Sequence, residues 1–395
     1  MKILLATESY YPNIDGGAIA QHNLAHELKK RGHSIYVIAP GNRFFNYKEN
    51  ENGITVFRTG SMRLPFYMKG RYRFTPFPLF KIKNIIKKIK PDVIHICSPY
   101  PIGASTYLWA RKYNFPVIDS IHILPENTLS LLFYSKHYKF FEKQIWKYFV
   151  FFFNLADWVT IPTETGIKMY KDHGFKNNIT PISNGINLKI FNPKNNGEYL
   201  RKRYNIPMKN IVIYTGRISQ EKNLEVLIKA IPIVIKKIDA HFLFVGSGGE
   251  YKHDLKNLVE KLNVGKYTTF TDFLDWKDYP NIYAIADVFA MPAESELQSI
   301  VTLEAVASGL PVVVVNRGAL PELANHGNGL VFEPGNSKDM ADKIIKILSD
   351  GKLKKEMSKK SLELSEKHSL EFVACEYEKA YENAIKIHNK KISSK

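Results

Sequence analysis

The sequence predicts an α/β protein built from two doubly wound parallel-sheet domains in tandem. At 395 residues, the chain is longer than a single hydrophobic core usually supports. Short β-branched runs alternate with amphipathic helical stretches through most of it, which is the pattern of parallel βαβ units. Hydrophobic residues make up 45% and charged residues 24% of the chain, as in globular proteins. We therefore expect two Rossmann-like domains with a cleft between them.

Each half of the chain supplies five predicted strands. They are KILLAT, SIYVIAP, VIHIC, PVIDSIH and DWVTIPT in the first half, and IVIYTGR, HFLFVG, YTTFTDF, VFAMPA and PVVVV in the second. Helices fit between them, such as residues 18–31, which Gly32 ends. Turn-forming residues cluster in ISNGINLKIFNPKNNGEYL, so the domains are placed at 1–191 and 192–370. The C-terminal helix, 371–395, is expected to pack back on the first domain.

Composition excludes several classes of protein. Two cysteines, Cys97 and Cys375, are too few for a disulfide framework or a cysteine-rich metal site. No apolar run approaches the ~20 residues of a spanning helix, and the N-terminus does not read as a signal peptide, so we expect a cytoplasmic protein. The formal charge of +18 indicates an anionic partner, an anionic surface or a basic proteome. Nucleic acid is not expected, since no binding module is recognisable.

The segment MPAESELQSIVTLEAVASGLPVVVV predicts a binding loop at a helix start. A strand ends at Met291, and a helix from about Gln298 follows the loop that carries Glu296. Unpaired N–H groups and a partial positive charge at a helix N-terminus suit a phosphate, and Ser295 could cap this one.

Glu296 and Glu304 are eight residues apart, which would place them on roughly one helix face. Two carboxylates could be the acid and base of a hydrolase or the acceptors for sugar hydroxyls. The phosphate-suited helix start favours acceptors for a nucleotide sugar over the hydrolytic pair and over two surface glutamates.

YTGRISQEKNLEVLIKAI places two cations after another strand. The strand ends at Thr215, Gly216 frees the turn, and Arg217 and Lys222 flank the start of the next helix. An arginine fork and a lysine point charge could together offset a diphosphate, although two solvated cations are the alternative. A metal often has that task, but the sequence has no Asp-X-Asp pair to hold one, so we expect no metal and no cofactor.

The first domain offers a glycine pair and a histidine at strand ends. Gly16 and Gly17 open the first helix and permit close approach of a ligand, or form an ordinary strand-to-helix turn. They are not part of a Gly-X-Gly-X-X-Gly run, and the second strand ends in Ala39-Pro40 without an acidic residue, which disfavours an NAD-dependent dehydrogenase. His122 ends the strand PVIDSIH, where α/β proteins bind ligands.

These motifs resemble retaining glycosyltransferase family 4. The resemblance covers nearly the whole chain. The motifs that carry it are Gly216-Arg217, Glu221-Lys222, residues 246–249 after HFLFV, and Glu296 and Glu304 within PAESE…LEAVASGLPVVV. Leu297-Gln298-Ser299 stands where the family usually has Gly-Phe-Gly. This variant is similar to the one in the branch that includes diacylglycerol glucosyltransferases. The His122 run, with Glu126 and Asn127, is also similar to that branch.

The resemblance implies the GT-B fold, with an acceptor-binding N-terminal and a nucleotide-sugar-binding C-terminal domain facing across a cleft. It implies that Arg217 and Lys222 bind the donor diphosphate, that Glu296 contacts the transferred sugar, and that Glu304 holds the ribose. It further implies that His122 faces the reacting sugar. The donor-binding residues that it implies are Gly16, Gly17, Gly216, Gln298, Ser299, Ile300 and Glu304.

Basic and aromatic residues of the first domain suggest a membrane-borne acceptor. Lys136, Lys139, Lys143 and Lys147 would line one helix face, with Phe141, Ile145, Tyr148, Phe149 and Phe152 opposite. The helix 79–90 and the loop SMRLPFYMKGRYRFTP mix lysine or arginine with apolar residues. Such surfaces could lie on an anionic bilayer, or their apolar faces could pack on the sheet.

The resulting expectation is retaining transfer of a hexose, glucose from UDP-glucose, to a lipid hydroxyl such as that of diacylglycerol. Front-face attack, as the resemblance implies, needs no enzymic nucleophile. The enzyme would then be peripheral on the inner face of the cell membrane. The alternatives are GDP-mannose-dependent transfer to a phosphoinositide or a polyprenyl-linked glycan, and a non-catalytic sugar-binding protein of the same fold.

Overall fold

The computed structural model describes residues 1–13, 15–63, 73–76, 78–125, 138–207 and 209–394. The chain divides into two compact units. The first comprises Met1–Gly185 and Leu370–Lys395, and the second comprises Ile186–Ser369. The sequence placed the boundary a few residues later, at Asn192.

The first unit is built on an eight-stranded sheet. The strands of this sheet are β1 Lys2–Ala6, β2 Ser34–Pro40, β3 Tyr47–Glu51, β4 Ile54–Thr59, β7 Val93–Ile96, β8 Val117–Ser120, β9 Trp158–Ile161 and β10 Ile179–Pro181. Their order across the sheet is β10-β9-β8-β7-β1-β2-β4-β3, and all neighbours are parallel except β3 and β4. A separate two-stranded ribbon pairs β5 Met62–Arg63 with β6 Arg73–Phe74. Because every inner strand is buried on both faces, the strands read as nearly continuous apolar runs.

Helices join the parallel strands of the first unit. They are α1 Gly16–Lys30, α2 Leu79–Ile89, α3 Pro101–Lys112, α4 Tyr138–Phe153, α5 Glu164–Asp172 and the C-terminal α12 Leu370–Ser393. Gly32, just after α1, has φ +93°, the left-handed conformation that commonly ends a helix. The first-half predictions therefore located β1, β2, β7, β8, β9 and α1. They did not predict β4, β10, the antiparallel edge strand β3 or the ribbon of β5 and β6.

The second unit has a six-stranded parallel sheet. Its strands are β11 Asn210–Thr215, β12 Ala240–Val245, β13 Thr268–Phe270, β14 Val288–Met291, β15 Val312–Val315 and β16 Gly329–Phe332. Their order across the sheet is β13-β12-β11-β14-β15-β16. Its helices are α6 Glu198–Tyr204, α7 Leu224–Ile235, α8 Glu250–Lys261, α9 Ile300–Ala307, α10 Ser337–Ser349 and α11 Gly351–Glu366. The strand order reverses between β11 and β14, and the carboxyl ends of such neighbours are where doubly wound sheets bind ligands.

The C-terminal helix α12 packs on the sheet of the first unit. Its buried residues recur every three or four positions, and the Tyr381 hydroxyl lies 3.0 Å from Nδ1 of His95 on β7. Glu378 pairs with Arg31 at 2.6 Å, and this hydrogen bond lowers the pKa of the carboxyl to about 2. Near the end of the helix, Lys391 lies 3.0 Å from the buried carboxylate of Asp157. Apolar burial and paired charges thus fix this helix along its length.

None of the helices in the described ranges is both long enough and apolar enough to cross a lipid bilayer. Both cysteines are free thiols, Cys97 buried and Cys375 partly exposed.

Candidate functional site

The loops after β11 and β14 carry most of the predicted site residues of the second unit. β11 ends at Thr215, and the chain continues through Gly216 into a short 3₁₀ turn over Gln220–Lys222. β14 ends at Met291, as predicted, and leads into the loop that precedes α9. The two strands are neighbours at the reversal of strand order, so their loops leave from adjacent positions.

Glycines make the first loop possible. Gly216 has φ +127° and Gly246 has φ +147°, both in the region that favours glycine. A Cβ on Gly246 would lie 1.8 Å from the carbonyl oxygen of Gly216, and one on Gly248 would lie 2.5 Å from that of Ile218. The loops after β11 and β12 are joined by the Ile218 N–H, which donates to the Ser247 carbonyl at 3.0 Å. The glycine run predicted from the sequence therefore sets the path of the backbone at Arg217.

Lys222 and Glu296 link the two loops. The Lys222 ammonium donates to Oε1 of Glu296, and each side chain is only 14% exposed. Taking two charges out of water costs free energy that the pair recovers only in part, so a buried pair of this kind is weak evidence for a stabilising role. A cation held at the end of a parallel strand is, in contrast, suited to an incoming anion.

Arg217 lies on the same loop in a more open position. Its guanidinium is 3.2 Å from Oε1 of Glu221, and its side chain is 54% exposed. The Tyr214 hydroxyl donates to the Arg217 carbonyl oxygen at 2.7 Å, which fixes the backbone at that residue. The loop therefore presents one positioned lysine and one solvent-accessible arginine, the pair that a diphosphate would need.

Two contacts from neighbouring loops hold the backbone that bears Glu296. Asn223 donates from Nδ2 to Oε1 of Glu294 at 3.2 Å, and the Ala319 N–H donates to the Glu296 carbonyl at 3.2 Å. Gly318, with φ +57°, allows this approach, because a Cβ there would lie 3.0 Å from the same carbonyl oxygen. Asn223, Gly318 and Ala319 were not predicted as site residues, although the left-handed glycine follows Arg317 in a turn-like NRG segment of the sequence.

The start of α9 differs from the prediction. The helix begins at Ile300, and Ser299, not Ser295, caps it by accepting a hydrogen bond from the Thr302 N–H at 3.3 Å. Glu296 consequently lies in the loop before α9, and the prediction that it shares a helix face with Glu304 was wrong. Gln298 and Ser299 are both buried at the helix start.

Glu304 is a buried carboxyl held by two tyrosines. It is 3% exposed, and its Oε2 accepts hydrogen bonds from the hydroxyls of Tyr279 at 2.7 Å and Tyr283 at 2.6 Å. Burial raises the pKa of Glu304 to about 7, against the opposing effect of these hydrogen bonds. The Tyr283 hydroxyl also lies 2.7 Å from Oγ1 of Thr215, so Glu304 is tied to the end of β11. These tyrosines were missed, although they recur four residues apart in the sequence YPNIY.

The predicted residues of the first unit lie at the carboxyl ends of β1 and β8. Gly16 and Gly17 form the first turn of α1, which Asp15 caps by accepting from the Ala18 N–H at 3.0 Å. His122 follows β8, and its Nδ1 lies 2.9 Å from Oδ1 of Asn184. Burial lowers the pKa of His122 to about 4, so the ring is neutral near pH 7. Glu126 and Asn127 lie outside the described residues.

The basic helix of the first unit exposes both lysines and aromatic rings. Phe141, Tyr148 and Phe151 of α4 are 40%, 44% and 63% exposed, and Lys143 and Lys147 are exposed as well. Other aromatic side chains described in α4 are buried, namely Trp146, Phe149, Phe152 and Phe153. Phe149 and Phe152 had been predicted to lie among the exposed rings. Lys136, the side chain of Lys139 and most of the basic loop lie outside the described part of the structure.

The second predicted surface helix, α2, packs its apolar face inside the fold. Ile82, Ile85, Ile86 and Ile89 are buried, and only Phe80, at 74%, is a strongly exposed apolar residue. The lysines of α2 therefore belong to a solvated face, with Lys83 lying over the ring of Trp109 at 5.0 Å. For α2, packing on the fold is the correct alternative.

Two family models match the chain, one in each unit. The model described as Glycosyltransferase Family 4 matches residues 14–190, and the model described as Glycosyl transferases group 1 matches residues 197–363. Together they span nearly the whole chain and include all of the site residues described above.

Relatives and solved structures agree with these models. The chain is 29% identical to sulfoquinovosyl transferase SQD2 of Arabidopsis thaliana, over 92% of this chain and 70% of the relative. It is 28% identical to alpha-monoglucosyldiacylglycerol synthase of Streptococcus pneumoniae, over 79% of this chain and 70% of the relative. HepE of Anabaena, solved in complex with UDP, superposes with a TM-score of 0.74 at 17% identity, over 96% of this chain and 99% of that one.

Replacing Gly246 tests the glycine-dependent geometry of the site. We expect Gly246→Ala to lower the free energy of unfolding by about 3 kcal/mol or more, because the new Cβ meets the Gly216 carbonyl at 1.8 Å and φ is +147°. The measurement is urea denaturation of the full chain followed by circular dichroism. Gly351→Ala is the control, since a Cβ there meets nothing within 4 Å and the residue begins the helix α11. Equal stability of the two variants would contradict the packing of the two loops.

Proposed function

Since the chain belongs to the family 4, group 1 glycosyltransferases and has the GT-B fold, we propose that it transfers glucose from UDP-glucose to a lipid hydroxyl with retention of configuration. The lipid that we propose is diacylglycerol or a close analogue. The observation that carries the proposal is the cation pair at the strand ends of the second unit, where Lys222 is held by Glu296 and Arg217 lies on the same loop.

The diphosphate of the donor would be bound by Arg217 and Lys222. Arginine offers two parallel N–H donors, and lysine offers a compact charge, so the two complement the oxygens of a diphosphate. Lys222 is 14% exposed, and electrostatic interactions are stronger in such a water-poor position than on an open surface. When the donor binds, its phosphate oxygens would compete with Glu296 for the Lys222 ammonium.

Release of the donor diphosphate is the step that these cations would accelerate. The bond from C1 of the sugar to the diphosphate breaks, and its electron pair leaves on the phosphate oxygen. The acceptor oxygen bonds to C1 from the same face, and its proton passes to the departing phosphate. Arg217 and Lys222 would stabilise the negative charge that develops, which is catalysis by preorganised electrostatics. The proposal needs no metal and no cofactor in this step.

Glu296 and Glu304 would bind the remainder of the donor. Once displaced from Lys222, the Glu296 carboxylate could accept hydrogen bonds from hydroxyls of the transferred sugar. Glu304, anchored by Tyr279 and Tyr283, would accept them from the ribose. A similar fold holds UDP in HepE, which supports a uridine nucleotide. The roles of Gly16, Gly17 and His122 toward the donor are proposed on the family resemblance.

A membrane lipid is proposed as the acceptor because α4 exposes aromatic rings and lysines. Phe151 is 63% exposed, and Phe141, Tyr148, Lys143 and Lys147 of the same helix are exposed as well. Rings of this kind settle at headgroup level while lysines approach anionic phosphates. The overall charge of +18 adds a general attraction to such a surface. A relative that is an alpha-monoglucosyldiacylglycerol synthase supports the same acceptor, and the enzyme would act as a peripheral protein at the inner face of the cell membrane.

The test is a transfer assay with purified protein in EDTA. UDP-glucose, UDP-galactose and GDP-mannose are offered with and without anionic vesicles that contain diacylglycerol, and released nucleotide and glycolipid are measured. We expect UDP release and a glucolipid only with UDP-glucose and vesicles. Turnover of GDP-mannose alone would overturn the donor, and turnover indifferent to vesicles would overturn the lipid acceptor.

Charge-removal variants serve as the controls for that assay. Lys143→Gln/Lys147→Gln should weaken vesicle binding by about tenfold or more, since each lysine near an anionic surface contributes about 1 kcal/mol. Lys236→Gln/Lys237→Gln removes the same charge from exposed positions of the second unit and should bind vesicles like the unchanged protein. Equal loss in both variants would indicate a non-specific effect of net charge.

Donor affinity should rise with pH through about 7 because of Glu304. Its pKa in the free protein is about 7, so the carboxyl is largely protonated at about pH 6 and ionised at about pH 8. Only the ionised form accepts ribose hydroxyls with all of its oxygen lone pairs. We expect affinity for UDP-glucose, by calorimetry, to increase about tenfold between these pH values. Glu304→Gln should bind weakly and without this dependence; an unchanged pH profile in the variant would exclude Glu304 as its source.

A further inference from the structure

Two histidines and a glutamate come together on the first unit, among residues that the proposed transfer does not use. His22 and His26 lie on α1, and Glu51 is the last residue of β3. Nε2 of His22 is 2.5 Å and Nε2 of His26 is 3.5 Å from the same atom, Oε1 of Glu51. One potential ligand atom from each of the three residues lies within 4.8 Å of the other two.

Local structure explains how these side chains meet. Residues four apart on an α-helix share a face, so both imidazoles project from one side of α1, with ring centroids 4.4 Å apart. The turn at Asn52 and Gly53, both with positive φ, ends β3 and returns the chain into β4. That turn fixes Glu51 opposite Ile54 in the register of the hairpin. The three groups are thus placed by a helix and a hairpin rather than by a flexible loop.

We propose that His22, His26 and Glu51 form a binding site for Zn²⁺ or a similar divalent transition metal. Two imidazoles and one carboxylate are a ligand set that Zn²⁺ uses, with the fourth position left to water or an exogenous ligand. Histidines spaced by four on a helix are also a usual arrangement for two zinc ligands.

The state of the side chains favours a metal over a hydrogen-bonded cluster alone. Oε2 of Glu51 is buried and has no hydrogen-bond partner among the described residues, so the two histidines there satisfy the carboxylate incompletely. Leaving a buried acceptor unpaired costs free energy, which a bound cation would remove.

The distances require only small side-chain movements. With Zn–N and Zn–O bonds of about 2.0–2.1 Å, tetrahedral ligand atoms are about 3.4 Å apart. The His26–Glu51 separation of 3.5 Å already matches, and the 2.5 Å His22–Glu51 contact would need to open by about 1 Å. All three side chains are between 16% and 27% exposed, so an ion could reach the site.

The bound ion would brace the edge of the first sheet. β3 is one of the two edge strands of that sheet, and among the described strands it pairs only with β4. A metal shared by α1 and Glu51 would fasten this hairpin to the helix beside it. The ligands all belong to the first unit, and the inference does not depend on the identity of the donor or the acceptor.

The test uses the full chain stripped with EDTA, dialysed, and titrated with ZnCl₂ alone in the absence of nucleotide sugar. We expect one equivalent of Zn²⁺ to bind by calorimetry and to raise the melting temperature by at least about 3 °C. Co²⁺ in place of Zn²⁺ should give the visible absorption bands of a four-coordinate ion. No stoichiometric binding of Zn²⁺, or no such bands with Co²⁺, would overturn the proposal without the use of any variant.

Variants then locate the site. His26→Gln and Glu51→Gln should each reduce Zn²⁺ affinity at least tenfold and remove the rise in melting temperature. His253→Gln removes an exposed imidazole from α8 of the second unit and should behave like the unchanged protein. Equal stabilisation by Zn²⁺ in the unchanged protein and in Glu51→Gln would overturn the assignment, as would a loss of binding in His253→Gln alone.

Discussion

The ion pair between Lys222 and Glu296 is the interaction on which the candidate donor site depends. It joins the loops that leave two neighbouring strands, β11 and β14, at the point where the strand order of the second unit reverses. Both side chains are mostly withdrawn from water, and the cost of withdrawing them is not recovered as stability. The arrangement is explained if an anionic ligand replaces the Glu296 carboxylate as the partner of the Lys222 ammonium. The turn beside it depends on glycine, because the lack of a side chain at Gly246 allows the backbone of Gly216, the residue before Arg217, to pass close to it.

Periodicity and turn chemistry predicted much of the fold, because parallel strands buried on both faces are legible as apolar runs between amphipathic helices. The ends of β11 and β14 were predicted correctly, and with them the loops that carry Arg217, Lys222 and Glu296. The edge strand β3 was missed, since its sequence YKENE is polar and forms a strand only by pairing with β4. Tertiary contact, not local propensity, determines such a strand.

The interior of the candidate site was less predictable than its loops. The start of α9 was placed early because Ser295 and Ser299 are equally good capping residues, and only the fold decides which of them meets a helical N–H. The partners of Glu304 come from Tyr279 and Tyr283, which are more than twenty positions away in sequence. Burial raises the pKa of this carboxyl to about 7, while the hydrogen bonds from the two hydroxyls act to lower it. Long-range contacts of this kind leave no periodic signal in a single sequence.

The most direct test of the donor site is a calorimetric comparison of UDP-glucose binding to Lys222→Met and Lys229→Met. Lys229 is an exposed lysine of α7 that follows Lys222 in the chain, so its removal changes the net charge equally without touching the strand ends. Loss of a charge-assisted contact with a diphosphate predicts at least a tenfold weaker affinity for Lys222→Met and an unchanged affinity for Lys229→Met. Equal binding by both variants would contradict the assignment of Lys222 to the donor diphosphate, and with it the central claim.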